Sequence, residues 1–316
     1  MKTIFFILLF TPSLFTIEVQ AQSNEKSITE SKQLRQENKI DEAMKIINQV
    51  LEKDSLNTDA IVVKASLFFR LEKYQDAYNI YTKGLNSQPN NSILLSQRGI
   101  LLAQLGNYEL AENDLESAEN GLKINQEIPK DCKSYQVIGT LAGYLNHNKK
   151  SYKYLKKAMN CNPNNSEVYI NLSATCFDLD KTDEGLEYLI KASQFDPDNY
   201  MILGNLGFAY QKKGEFKLAI DYFSKALVLK PNEPQAIGNI AFNQYKLGKL
   251  TIALENINKS IDLKPENAYS YRTRALIYLE MGEKENACDD IQTAINKDYT
   301  KLFGNEAEEF KDLNCK

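Results

Sequence analysis

Apolar and small residues recur along this chain in a pattern that repeats every 34 positions. One clear period holds Leu203, Leu206-Gly207, Tyr210, Gly214, Phe216, Ala219, Phe223, Ala226 and Pro231. Spacings of three and four put such positions on one face of a helix. Gly214 divides the run and Pro231 ends it, so each period predicts two helices, A and B, joined by a turn. The alanine of helix B returns at Ala43, Ala77 and Ala111, and a second series runs Gly185, Ala219, Ala253 and Ala287, all in steps of 34. Ser151 lies between the series, 40 positions after Ala111 rather than 34, so an insertion falls near 120–131. Prolines close the periods at Pro89, Pro163, Pro197, Pro231 and Pro265, and Gly106, Gly214, Gly248 and Gly282 occupy the A–B turn.

These positions resemble the tetratricopeptide repeat (TPR), with Leu203 standing where that family prefers Trp. The resemblance covers residues 24–301 and implies an all-α, right-handed TPR α-solenoid of about eight helix-turn-helix repeats. Each recurring residue has a physical reason. A small side chain is needed where helices A and B touch, and glycine permits the left-handed residue that closes helix A. The first repeat, with Asn38 at the turn and Ser55 for proline, reads as a capping unit; the fourth, with Asn146 and Ser151, departs furthest from the pattern. Residues 302–316 are expected to form a C-terminal capping helix from Gly304 to Lys316. Phe303, Ala307, Phe310 and Leu313 would share its apolar side and cover the open face of the last repeat. Tyr74, Tyr108 and Tyr210 belong to the packing pattern.

The start of the chain reads differently. Lys2, an apolar run from Ile4 to Phe15 and a small-residue end at Val19-Gln20-Ala21 have the order of a secretory signal peptide, residues 1–21. Export to the periplasm or the outside of the cell is therefore expected, with no integral membrane segment after cleavage. Charge narrows the function. Lys plus Arg is 38 against 42 Asp plus Glu, a net charge of −4, which disfavours general nucleic-acid binding. His147 is the one histidine, so a His-based metal site or catalytic triad is hard to build. No catalytic residues, metal or cofactor are expected, and the chain reads as a non-enzyme.

Export makes disulfides possible for the 5 cysteines. If the last helix B and the tail helix pack antiparallel, Cys288 and Cys315 meet, because the stretches from each to the intervening turn are ~14 and ~17 Å long. The same argument pairs Cys132 with Cys161 across the fourth repeat. Cys176 falls on an apolar helix A position as a small hydrophobe. The alternative is that all five stay reduced.

A ligand would lie on the inner faces of the A helices, which line a concave groove in this family. Asn171, Asn205 and Asn239 hold the sixth position of three successive repeats, followed by Thr273. Each amide carries a donor and an acceptor and can pair with a peptide backbone. Gly204 and Gly238 would leave room beside this row, with Phe208, Phe242, Phe177 and Tyr245 as apolar and stacking surface. The same asparagines could instead bond only across helices. The lysines Lys149, Lys150, Lys153, Lys156 and Lys157 read as a solvated helix face, with His147 exposed beside them. The expected function is a scaffold holding a protein partner or extended peptide in the cell envelope. The alternative is a glycan- or cell-wall-binding accessory of envelope polysaccharide handling, since rings and amides also suit sugars.

Overall fold

The computed structural model describes residues 12–124 and 132–315. Contacts divide the chain into two compact units, Met1–Cys161 and Asn162–Lys316. No strand occurs among the described residues.

In the first unit the helices are Pro12–Gln36 (α1), Ile40–Lys53 (α2), Thr58–Arg70 (α3), Tyr74–Ser87 (α4), Ser92–Gln104 (α5), Tyr108–Ile124 (α6), Cys132–Tyr144 (α7) and Asn148–Cys161 (α8). In the second they are Ser166–Asp178 (α9), Thr182–Phe195 (α10), Tyr200–Lys212 (α11), Phe216–Leu229 (α12), Pro234–Lys246 (α13), Leu250–Leu263 (α14), Ala268–Glu280 (α15), Lys284–Asn296 (α16), Tyr299–Phe303 (α17) and Glu306–Asn314 (α18). Each odd helix through α15 pairs with the next as an antiparallel hairpin, and within a unit the hairpins stack.

Local chemistry sets the helix ends. Asn57, Asn91, Asn165 and Asn199 each accept a hydrogen bond from backbone amides in the first turn of an A helix. Such caps contribute about 1 kcal/mol each. The A–B turns pass through a left-handed residue at Asn38, Glu72, Gly106, Asn146, Asp180, Gly214, Gly248 and Gly282. Four of the eight are not glycine and carry the strain of a positive φ, mildest for Asn and Asp. Part of the insertion becomes helix: α6 is 17 residues long where α4 and α12 have 14. Residues 125–131, which hold the rest of it, lie outside the described residues.

Packing explains the small residues. Ala43, Ala77, Ala111, Ala219, Ala253 and Ala287 are all at most 1% exposed. Gly207 lies under the Phe223 ring so closely that a Cβ would meet three ring atoms at 2.9 Å. Gly185 lies under Phe177 in the same way, at 2.8 Å. An ion pair appears twice at equivalent positions. Arg98 donates from Nε and Nη2 to both carboxylate oxygens of Asp114 at 2.9 and 2.7 Å, and from Nη1 to Thr82 in the preceding B helix. Arg274 grips Asp290 at 2.7 and 2.8 Å and donates to Asn258 in its own preceding B helix. The planar guanidinium also lies over Tyr78 in the first case and over Tyr271 and Tyr278 in the second. Each bracket ties one hairpin to its neighbour.

The C-terminal segment differs in detail from expectation. A short helix, α17, precedes the cap, and α18 begins at Glu306 rather than Gly304. Ala307 is fully buried and Phe310 packs on the same cluster, but Leu313 is 82% exposed. Leu313 falls near the end of α18, where the nine-residue helix runs past its support. Tyr108 is also not a packing residue: it stands at the first position of α6 and is 58% exposed.

Candidate functional site

The A helices of the second unit, α9, α11, α13 and α15, place one predicted amide position each. Asn171, Asn205 and Asn239 are half-buried, whereas Thr273 is fully buried. Cross-helix amide bonding between α11 and α13 is done by other residues. Asn243 donates from Nδ2 to Gln211 Oε1 at 2.6 Å and to the Asn239 carbonyl at 2.7 Å. The side-chain amides of Asn205 and Asn239 take no hydrogen-bond partner among the described residues and are open to solvent. Asn171 accepts at its carbonyl from Thr175 Oγ1.

The rings form two groups rather than a continuous row. Phe177 from α9 and Phe208 from α11 meet edge to face at 6.3 Å. Phe242 and Tyr245, both on α13, lie 6.2 Å apart, and Phe242 is equally close to Tyr269 of α15. Phe208 is 40% exposed. Phe177 has a double duty, because its ring also fills the space over Gly185. Burial pushes the Tyr245 and Tyr269 phenols up, against the nearby positive charge of Arg272. The two glycines differ in role. A Cβ at Gly204 would meet nothing within 4 Å, but Gly238 is buried and its Cβ would meet Ser260 Oγ at 3.1 Å. Gly238 therefore serves the α13–α14 contact and opens no space in the groove.

Three cations of this wall escaped the sequence reading. Lys212 Nζ lies 5.9 Å from the centre of the Phe177 ring and 5.5 Å from that of Phe208. Lys246 Nζ lies 5.5 Å from both Phe242 and Tyr245. Arg272 sits 6.0 Å from Phe242 and donates to Glu306 of α18 at 2.7 Å. The signal for the lysines was available, since they lie 34 apart and each follows a ring, Phe208 or Phe242, by four positions, one helical turn.

The cysteines fall at two staples. Cys132 and Cys161 form a disulfide between the start of α7 and the end of α8, with Cα atoms 5.4 Å apart. Cys288 and Cys315 form another from α16 to the residue after α18, at 5.6 Å. Cys176 is a buried thiol. On α8, Lys150 pairs with Glu119, Lys157 lies over the rings of Tyr135 and Tyr154, and Lys156 lies over Tyr152. Exposed His147 faces Glu112 at 2.7 Å. Among the described residues no cluster of His, Cys, Asp and Glu converges as a metal site. No described helix is long and apolar enough to cross a membrane.

Stacked helix hairpins with amides and rings along their A helices define a helical-repeat protein, a fold that suggests a scaffold for protein–protein interaction. Residues 166–199 and 200–233 match family models of the tetratricopeptide repeat. Residues 166–233 are thus tetratricopeptide repeats, and the helix hairpins on either side of them within the two units have the same paired fold. Among curated proteins it is similar to human RNA polymerase II-associated protein 3, 27% identical over 122 residues, which is 37% of this chain and 17% of that protein. Among solved structures it is similar to the Cut9–Hcn1 hetero-tetramer of the APC/C, with a TM-score of 0.68, 16% identity and coverage of 89% of this chain and 54% of that one. It is also similar to Pseudomonas aeruginosa PilF, with a TM-score of 0.53, 20% identity and coverage of 72% and 99%. This chain thus spans about half of the first structure's chain and under a fifth of the curated relative, and the structural likenesses speak for the fold alone.

Proposed function

We propose that the chain is a non-catalytic scaffold that holds an extended segment of a protein partner on the inner wall of its second unit. The TPR fold itself suggests a scaffold for protein–protein interaction. The observation that carries the finer reading is the division of labour among amides. Asn243 and Gln211 make the bond between α11 and α13, so Asn205 and Asn239 are not needed for helix packing. Each offers a donor and an acceptor to a backbone whose own groups must be satisfied when it leaves water. Phe208 and Phe242 flank them as apolar contact surface. Residues 1–21 support export, so we place the scaffold in the cell envelope, periplasmic or secreted.

Photo-crosslinking from position 208 in the native compartment tests the binding reading. A discrete cross-linked protein, lost in an Asn205→Ala/Asn239→Ala variant with an unchanged circular dichroism spectrum, is expected. Full cross-linking by that variant overturns the amide role, and a cross-linked glycan in place of protein favours the polysaccharide alternative. A fusion of residues 1–21 to a reporter enzyme that stays in the cytoplasm overturns the location.

A further inference from the structure

We propose that the segment held by the second unit is acidic, with carboxylates three residues apart that settle on Lys212 and Lys246; this rests on the groove reading above and specifies its ligand. The two lysines are exposed, occupy equivalent positions on α11 and α13, and each lies over two rings of the inner wall. Neither forms an ion pair within 4.0 Å with a carboxylate among the described residues, although other lysines of this unit do, as in Lys181–Glu184 and Lys225–Asp221. A cation resting on ring faces loses part of its hydration, which strengthens its attraction for an incoming carboxylate.

The protein itself displays the recognition it lacks at these two positions. Arg272, on the next A helix, rests on Phe242 just as Lys246 does, and there the carboxylate is supplied internally by Glu306 at 2.7 Å. The site for a carboxylate over a ring-backed cation is therefore filled at α15 and open at α11 and α13. Its extent is bounded as well, since the positions equivalent to the lysines on α9 and α15 are Asp178 and Glu280, which repel a longer acidic run.

Spacing sets the ligand's register. Neighbouring A helices lie about 10 Å apart. A polyproline II segment advances about 9 Å in three residues and returns its side chains to the same side. Its backbone makes no internal hydrogen bonds, so every third peptide group can meet the amides of Asn205 and Asn239 while every third carboxylate meets a lysine.

The test is a phage-displayed library of random nonapeptides, panned on the full chain and on a Lys212→Gln/Lys246→Gln variant, with Asn205→Ala/Asn239→Ala alongside. Two exposed ion pairs together support about a tenfold preference. The wild-type chain is expected to enrich Asp or Glu pairs three residues apart by that factor over the naive library. The lysine variant should return acidic pairs at their naive frequency. Enrichment of sequences without acidic pairs, abolished by the asparagine substitutions, overturns the acidic ligand and leaves the groove standing. Acidic enrichment that persists in the lysine variant overturns the assignment to these two side chains. No enrichment by the wild-type chain overturns both readings.

Discussion

The contact between Gly207 and Phe223 allows a prediction in which one substitution changes sign with its background. Gly207 lies inside α11 with an ordinary helical backbone, so alanine there gains about 1 kcal/mol of helix propensity. The new Cβ, however, would stand 2.9 Å from the Cγ, Cδ1 and Cδ2 atoms of the Phe223 ring. Three contacts on a ring face cannot be relieved by swinging a side-chain tip, and such overpacking costs about 1–3 kcal/mol. Gly207→Ala alone should therefore be neutral to destabilising by up to about 2 kcal/mol. Phe223 is 2% exposed, and Phe223→Ala alone should cost about 3–5 kcal/mol. In that background the clash is gone, and Gly207→Ala should recover about 1 kcal/mol, a coupling of about 1–3 kcal/mol. Stacked repeats open locally, so hydrogen exchange in α11 and α12 is the proper readout, rather than one melt of the whole chain. Equal gains in protection from Gly207→Ala in both backgrounds would refute the packing argument.

Further predictions follow the brackets, the staples and the buried phenols. Asp290→Asn leaves a largely buried guanidinium without its counter-charge and should cost about 3 kcal/mol, seen as lost exchange protection in α15 and α16. Asp114→Asn should do the same in α5 and α6, and unchanged protection in either case would show the bracket to be energetically idle. Cys288→Ser/Cys315→Ser releases a closure with a sequence separation of 27 and should lower the stability of α16–α18 by about 3.5 kcal/mol, with reductant mimicking the substitution on the wild-type chain. Burial, with a smaller contribution from Glu306, pushes the Tyr299 phenol from 10.0 up to about 12, while Arg272 opposes the rise. Because the folded value is the higher one, the stability it contributes is full below pH ~10 and is lost as pH rises towards about 12. Ultraviolet titration should show a late-ionising tyrosine that vanishes in Tyr299→Phe, and a titration identical in the two proteins would contradict it.

The helix boundaries were legible because the same residue types return at the same phase. Gly106, Gly214, Gly248 and Gly282 marked four of the turns, and Asn38 and Asn146 two more. Glu72 and Asp180 did not stand out: glutamate does not announce a left-handed residue by its chemistry, and Asp180, whose side chain tolerates one, is one aspartate among many, yet both adopt it. The tail was only half legible. Helical spacing grouped Leu313 with Ala307 and Phe310, but spacing does not say how far the supporting surface extends, and Leu313 overhangs it. At the inner wall the amide and ring positions could be read, but their partners could not. Which asparagine bonds across helices depends on a neighbour such as Gln211, whose phase looks no different from that of a surface residue. The Arg98–Asp114 and Arg274–Asp290 brackets were present as an Arg and an Asp 16 positions apart at the same phase twice. A chain full of charges hides such a pair until burial singles it out.

The two staples also govern how the protein would respond to tension. A pull applied at Lys316 is passed by the Cys288–Cys315 bond straight to α16, so α17 and α18 are bypassed and carry no load. Up to about 95 Å of contour, the reach of those 27 steps, stays locked until the sulfurs are reduced. The Cys132–Cys161 loop withholds a similar length from the first unit. In an oxidising compartment the chain would thus extend less under force than its residue count allows, with its terminal cap still folded.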